Sequence, residues 1–243
     1  MAGNYFDVDW APKFDFGGPR PLSGIRGVCV HTTENVAGTP CENVARYQLN
    51  SQTGSYHVLV DTAGRRLREN TDDWITWSTG NKGNNVLLHV SFVAQARWSR
   101  AEWLAQDRML DAGASVVAHW CSRYNIPVRK VSAAGLPGLV GHADTRVWGG
   151  TDHTDPGAGF PWDVFISKVN RHLNGGGKEE AVDKNAADNR VQLRGPKDDG
   201  WEVEGLIEAA RKRDPNLNKG TLVELVCVLL GEVRALRAEI NKS

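Results

Sequence analysis

The sequence predicts an α/β fold: a central, mostly mixed β-sheet flanked by helices, with a small helical region at the C-terminal end. Three observations lead there. Short apolar, β-branched runs at 24–31, 55–61 and 86–95 have the length and composition of buried strands. Helix-start signatures lie between and after them. The composition then breaks after Asn174, which separates a larger region from a smaller one.

Residues 1–21 read as an irregular lead-in. GIRGVCVH (24–31) is the first strand. Thr39 is placed to cap a helix, Pro40 suits its first position and Glu42 closes a capping box. SYHVLVD (55–61), a turn at Thr62–Gly64 and RRLREN (65–70) predict a hairpin. VLLHVSFVAQ (86–95) is apolar enough to be central. Ser99 and Glu102 form a second capping box, and Trp103, Leu110, Val117 and Tyr124 share one face, predicting one long helix over 100–124. GLVGH (138–142) is a short strand or loop. A last helix runs from Pro161 to Leu173, with Gly175 as its stop. This order implies a mixed sheet with helices packed on it.

Residues 175–200 contain 11 charged residues and five Gly in 26, with no aromatic, and read as a flexible linker. In 201–243, Thr221 and Glu224 make a third capping box, and Leu222, Val226, Leu229, Val233, Leu236 and Ile240 alternate spacings of four and three. That seam fits a helix packed on 201–213, a short oligomerising coiled coil, or a wall-binding module.

The chain has 243 residues, 29 basic against 29 acidic, so its formal net charge is zero. A neutral chain has no global field to gather nucleic acid or anionic lipid, and neither partner is expected. No apolar run nears the roughly 18 residues of a membrane span. The opening MAGNYFDVDWAPKFDF has neither a basic start nor an apolar stretch, so no signal peptide and cytoplasmic synthesis are expected. Cys29, Cys41, Cys121 and Cys227 form no CxxC pair and read as buried thiols. Nine Trp suit either an aromatic-lined carbohydrate or peptide groove or plain packing.

His31 ends the first strand, His142 sits in GHADT and Asp155 in HTDPG. Imidazole and carboxylate are zinc donors, and a catalytic site takes three protein ligands with one open position. Cys29 lies two residues before His31, so both side chains share one face of a strand. A Cys–His metal pair and a buried thiol are both open at that point.

The ordered motifs VCVHTTE, GSYHVLVD, WSTGNKGNNVLLHVSFVAQ, GLVGHADT and TDHTDPGAGFPWD resemble those of the zinc-dependent N-acetylmuramoyl-L-alanine amidases, a family of phage endolysins, bacterial autolysins and peptidoglycan recognition proteins. The resemblance spans about 22–174 and leaves 175–243 uncovered. It implies a zinc amidase region in which zinc-activated water cleaves the amide between N-acetylmuramic acid and L-alanine of peptidoglycan. It implies His31, His142 and Asp155 as the ligands, Tyr56 as a catalytic group, and His57 as a packing or outer residue. Two positions depart from the family. His153 stands where several members carry an oxyanion-stabilising Lys, and Ser91 stands where one branch carries a Glu base. His153 is therefore expected as a catalytic donor whose charge follows pH. Trp77, Asn84 and Arg146 are candidates for the substrate groove. The activity expected is that of a phage endolysin acting on the wall after release. A bacterial wall-turnover amidase, a non-catalytic receptor-like module and a thiol hydrolase using Cys29 or Cys41 are the alternatives.

Overall fold

The computed structural model describes residues 5–175. The expected linker beyond Gly175 and the expected helical region at 201–243 lie outside those residues, as does Cys227. The elements in order are β1 (Val8–Asp9), β2 (Gly18–Pro19), β3 (Gly27–Thr32), α1 (Cys41–Ser51), β4 (Val58–Val60), β5 (Arg66–Arg68), β6 (Trp74–Ile75), α2 (Gly83–Val86), β7 (Leu87–Phe92), α3 (Arg100–Leu104), α4 (Asp107–Tyr124), β8 (Gly138–Gly141) and α5 (Trp162–Leu173).

The main sheet is mixed, in the order β1-β5-β4-β7-β3-β8. β4, β7, β3 and β8 run parallel, and β5 runs antiparallel to β4 in the expected hairpin. β3 and β7 are buried at every residue, as the inner strands of a sheet covered on both faces should be.

Register sorts the side chains. Cys29 pairs with His89 and His31 with Ser91, so these four share one face. Val28, Val30, Leu88, Val90 and Phe92 occupy the other, with Val58, Val60 and Leu139. That aliphatic face packs against α4 and α5 through Met109, Leu110, Val116, Val117, Phe165 and Val169. A Cβ at Gly113 would stand 2.4 Å from the Phe92 ring, so glycine there sets how closely α4 approaches the sheet. The opposite face is covered on one side by Val44 and Ala45 of α1 with Phe14 and Phe16.

Three sequence expectations need correction. The lead-in is not wholly irregular. Val8–Asp9 adds a parallel edge strand beside β5, and Arg66 and Arg68 pair with Asp7 and Asp9 across it. The helix expected over 100–124 is two helices. α3 keeps the Ser99–Glu102 capping box and ends at Leu104, and α4 starts at Asp107. Trp103 enters the core edge-on between Trp98 and Phe160, with ring centroids 5.1 and 4.9 Å away, while α4 runs along the sheet. The capping box at α1 does not form. The Thr39 hydroxyl bonds the Val36 carbonyl instead, and the Glu42 carboxylate pairs with Arg65.

Among the described tryptophans, Trp98, Trp103 and Trp120 are buried in packing. Cys29, Cys41 and Cys121 are buried free thiols. Among the described residues, no helix is long and apolar enough to cross a membrane.

One polar cluster ties α4 to α5. Asp111 meets His172, Lys168 and Arg171. The bond from His172, with the neighbouring cations, lowers its carboxyl from 3.8 to about 2. A depressed carboxyl stabilises the fold above its unfolded pKa, and that contribution is lost as pH falls through the folded value. Asp111→Asn should therefore lower unfolding stability near neutral pH and cost little by pH ~2, measured by urea denaturation across pH. Trp103→Ala should cost about 3–5 kcal/mol, whereas Ser99→Ala should cost about 1 kcal/mol.

Candidate metal centre

β3, β7 and β8 are parallel, so their C-terminal ends lie along one edge of the sheet. Crevices at such edges are where α/β sheets place ligands. Val30 pairs with Gly141, and the next residues on the two chains are His31 and His142. Register thus sets the two imidazoles side by side, with ring centroids 4.8 Å apart.

Asp155 reaches them from the loop after β8. Its carbonyl oxygen accepts from Ala143 N at 3.1 Å and its Oδ2 from Thr32 N at 3.3 Å. A Cβ at Gly141 would stand 2.8 Å from Pro156 Cδ, so glycine at the strand end lets this loop close in. Asp155 Oδ2 lies 3.1 Å from His31 Nδ1, and Oδ1 lies 3.0 Å from His142 Nδ1. One donor atom from each of the three residues lies within 4.8 Å of the others, and all three residues are buried.

The charge state suits a cation. Burial would raise the Asp155 carboxyl, but the His142 and His31 imidazoles beside it hold it far below the carboxylate range. Burial pushes the His31 imidazole down, against the pull of Asp155. One carboxylate and two imidazole nitrogens form a donor set that fits a divalent metal of the zinc type.

Tyr56 and His153 border this set. The Tyr56 ring lies 5.1 Å from that of His31. Burial, then the Asp155 charge, pushes its phenol well up, so the hydroxyl keeps its proton. Its main chain is clamped, N–H to Glu69 Oε2 at 2.6 Å and carbonyl to Asn70 Nδ2 at 2.6 Å. His153 stacks on His142 at 4.7 Å with its side chain 64% exposed, and its Nδ1 stands 3.6 Å from Asp155 Oδ1.

The proposed groove residues divide. Trp77 is 44% exposed and packs on Phe16. Arg146 is exposed in the short 3-10 helix His142–Trp148. Asn84 braces the neighbouring loop: its Oδ1 accepts from Ser78 N, Thr79 N and Thr79 Oγ1.

His57 does not touch the triad. It stacks on His89 at 5.5 Å, and its Nε2 lies 2.8 Å from Arg20 Nη2. Burial, then Arg20, pushes its pKa well down, and burial does the same to His89. His89 itself was not singled out by the sequence, although it sits two residues before Ser91 in the same strand and so on the same face. Cys29, His31 and His89 also cluster within 4.8 Å. Burial pushes the Cys29 thiol well above its ordinary range, and Cys41 likewise, which disfavours a free thiolate nucleophile at either.

A family model described as N-acetylmuramoyl-L-alanine amidase matches residues 20–158, more than half of the chain. The chain belongs to the N-acetylmuramoyl-L-alanine amidase family. Among curated proteins it is 26% identical over 167 residues to protein Ami of Listeria monocytogenes, covering 65% of this chain. It spans 17% of that relative's length. Among solved structures, the Staphylococcus aureus hydrolase AmiA, crystallised with its ligand, is 19% identical. The match covers 72% of this chain and 87% of that one, with a TM-score of 0.57, and shows that the two share a fold. The structure of PlyL is 22% identical over 70% of this chain and 97% of that one, with a TM-score of 0.48. The amidase family match reaches from Arg20 to just past Asp155, and so takes in all three members of the triad.

Removing one donor from a three-donor set should cost more than the roughly 10–100-fold that loss of an outer partner costs. Asp155→Asn, which leaves two imidazoles, should weaken zinc binding by more than that in a chelator-competition titration. A smaller loss would place the metal elsewhere.

Proposed function

We propose that this protein is a zinc-dependent peptidoglycan hydrolase of the phage endolysin type. Its substrate bond is the amide between N-acetylmuramic acid and L-alanine of the stem peptide. The observation that carries the reading is the meeting of His31, His142 and Asp155 at the C-terminal edge of three parallel strands, inside the region matched by the amidase family. The endolysin assignment draws on the catalytic region, charged linker and short helical region that the sequence predicts. In this reading 22–174 is the catalytic domain, and 201–243 binds the wall or joins copies of the chain.

His31 and His142 would hold the metal through Nδ1 and Asp155 through its carboxylate, the atoms that face one another. Zinc, when bound, supplies a Lewis acid and lowers the pKa of water towards about 7. The protein's own groups do the rest. Negative charge gathers on the scissile carbonyl oxygen as its carbon becomes tetrahedral. Tyr56, kept protonated, donates a hydrogen bond to that oxygen. The leaving alanine amine needs a proton. The exposed His153 imidazole at the mouth of the site takes the proton that the attacking water sheds and relays it to that amine, and its stacking on His142 fixes where it acts. Trp77 and Arg146 offer an aromatic face and a cation to the stem peptide. The Asp155 carboxylate favours this reading over that of a receptor that binds wall without cutting it, since a two-imidazole set would hold the metal far less well.

The test is mass spectrometry of purified peptidoglycan after digestion, with and without chelator. Free stem peptides that begin at alanine, beside intact glycan strands and lost on chelation, are expected. Cleavage within the glycan or the cross-bridge would overturn the bond assignment. Binding without cleavage after zinc addition would make the protein a receptor-like module. Tyr56→Phe should lower turnover by about 10²–10³-fold with zinc content unchanged. His153→Ala should also lower turnover more than zinc content, and equal loss of both would make His153 a ligand.

A further inference from the structure

The His31 ring has a second nitrogen that faces away from Asp155. Its Nε2 lies 3.0 Å from His89 Nδ1, and His89 Nε2 lies 3.2 Å from the carbonyl oxygen of Gly83. His31 and His89 are both fully buried. A carbonyl oxygen only accepts, so His89 Nε2 carries a proton and donates it. A neutral His89 then presents a lone pair at Nδ1, and His31 Nε2 must donate into that. The single proton of a neutral His31 is thereby committed to Nε2. Its Nδ1 is left with a lone pair aimed at Asp155 Oδ2, 3.1 Å away. Two acceptors facing each other in a buried place are reconciled by a cation between them.

His142 has no such constraint. Its Nε2 meets the Thr151 hydroxyl at 3.0 Å, and a hydroxyl both donates and accepts. The proton placement is therefore dictated from the His31 side.

We propose that His89 is a positioning residue that locks His31 in its Nε2–H tautomer and so directs the Nδ1 lone pair into the metal centre. This rests on the reading of His31, His142 and Asp155 as metal ligands. His89 is itself held by the fold. Its main-chain N–H donates to His57 Nδ1 at 3.0 Å, its ring stacks on His57, and its Nε2 partner Gly83 lies in α2, directly before β7.

The experiment uses the full chain, ¹⁵N-labelled at histidine and stripped of metal, at pH ~8, above the ordinary histidine range. Long-range ¹H–¹⁵N spectra read the tautomer of each ring, and chelator competition reads zinc affinity. In the wild type, His31 is expected to carry its proton on Nε2. In His89→Leu the His31 proton should shift to Nδ1, towards Asp155, and zinc should bind roughly 10–100-fold more weakly, the usual cost of an outer partner. His89→Asn returns an acceptor near the Nδ1 position and should recover both the tautomer and most of the affinity. A wild-type His31 protonated at Nδ1 would overturn the proposal. So would a folded His89→Leu with unchanged tautomer and affinity. If His89→Leu does not fold, the wild-type tautomer and His89→Asn decide the matter. Failure of the wild type to take up zinc would overturn the metal reading itself, whichever tautomer His31 adopts.

Discussion

The site depends on the parallel pairing of β7, β3 and β8. Parallel strands end together, so residues at their C-terminal ends become neighbours however far apart they lie in sequence. His31 and His142 are brought alongside by a register that Val30 and Gly141 set. That register is held in turn by the aliphatic face of the same strands packed on α4 and α5. A slip of one residue would turn His31 into that apolar core and Val30 into the crevice. The geometry of the site and the hydrophobic packing are thus two readings of one alternation.

Electrostatics completes what the register begins. Asp155 is a buried carboxylate between two imidazoles, and burial keeps the His31 ring inclined to neutrality. Such a set is short of positive charge. Around it the polar groups become steadily more structural. Tyr56 and His153 stand at its border, and His89, His57 and Arg20 lead from it into the body of the sheet. Arg20 remains cationic at neutral pH although burial lowers its pKa to about 10. It donates to the carbonyls of Asp72 at 2.9 Å and Leu87 at 2.6 Å, linking the lead-in to the start of β7.

How much was legible in the sequence varies by element. β3, β7, the β4–β5 hairpin and α5 were readable because run length, β-branching and turn residues agreed with the final packing. The break between α3 and α4 was not, because Trp103, Leu110 and Val117 keep a helical period straight across it while Trp103 answers to Trp98 and Phe160. The α1 capping box failed because Arg65, 23 residues away in sequence, offered Glu42 a charge partner. β1 is two residues long and has no periodic signal to find. At the site, the motifs pointed to His31, His142, Asp155, Tyr56 and His153, and the fold brings all five together. The bracing of the 78–84 loop by Asn84 was not legible, because its donors are backbone N–H groups that exist only once the loop has formed. His89 was within reach of the alternation rule. A histidine two residues before Ser91 shares its face, and β3 pairing makes that the His31 face.

The most direct measurement is anomalous diffraction at the zinc absorption edge from crystals of the zinc-loaded full chain. A single strong peak bonded to His31 Nδ1, His142 Nδ1 and the Asp155 carboxylate is the predicted result. A peak on the far side of His31, bonded to Nε2 with His89 and Cys29, or one away from these residues altogether, would contradict the account.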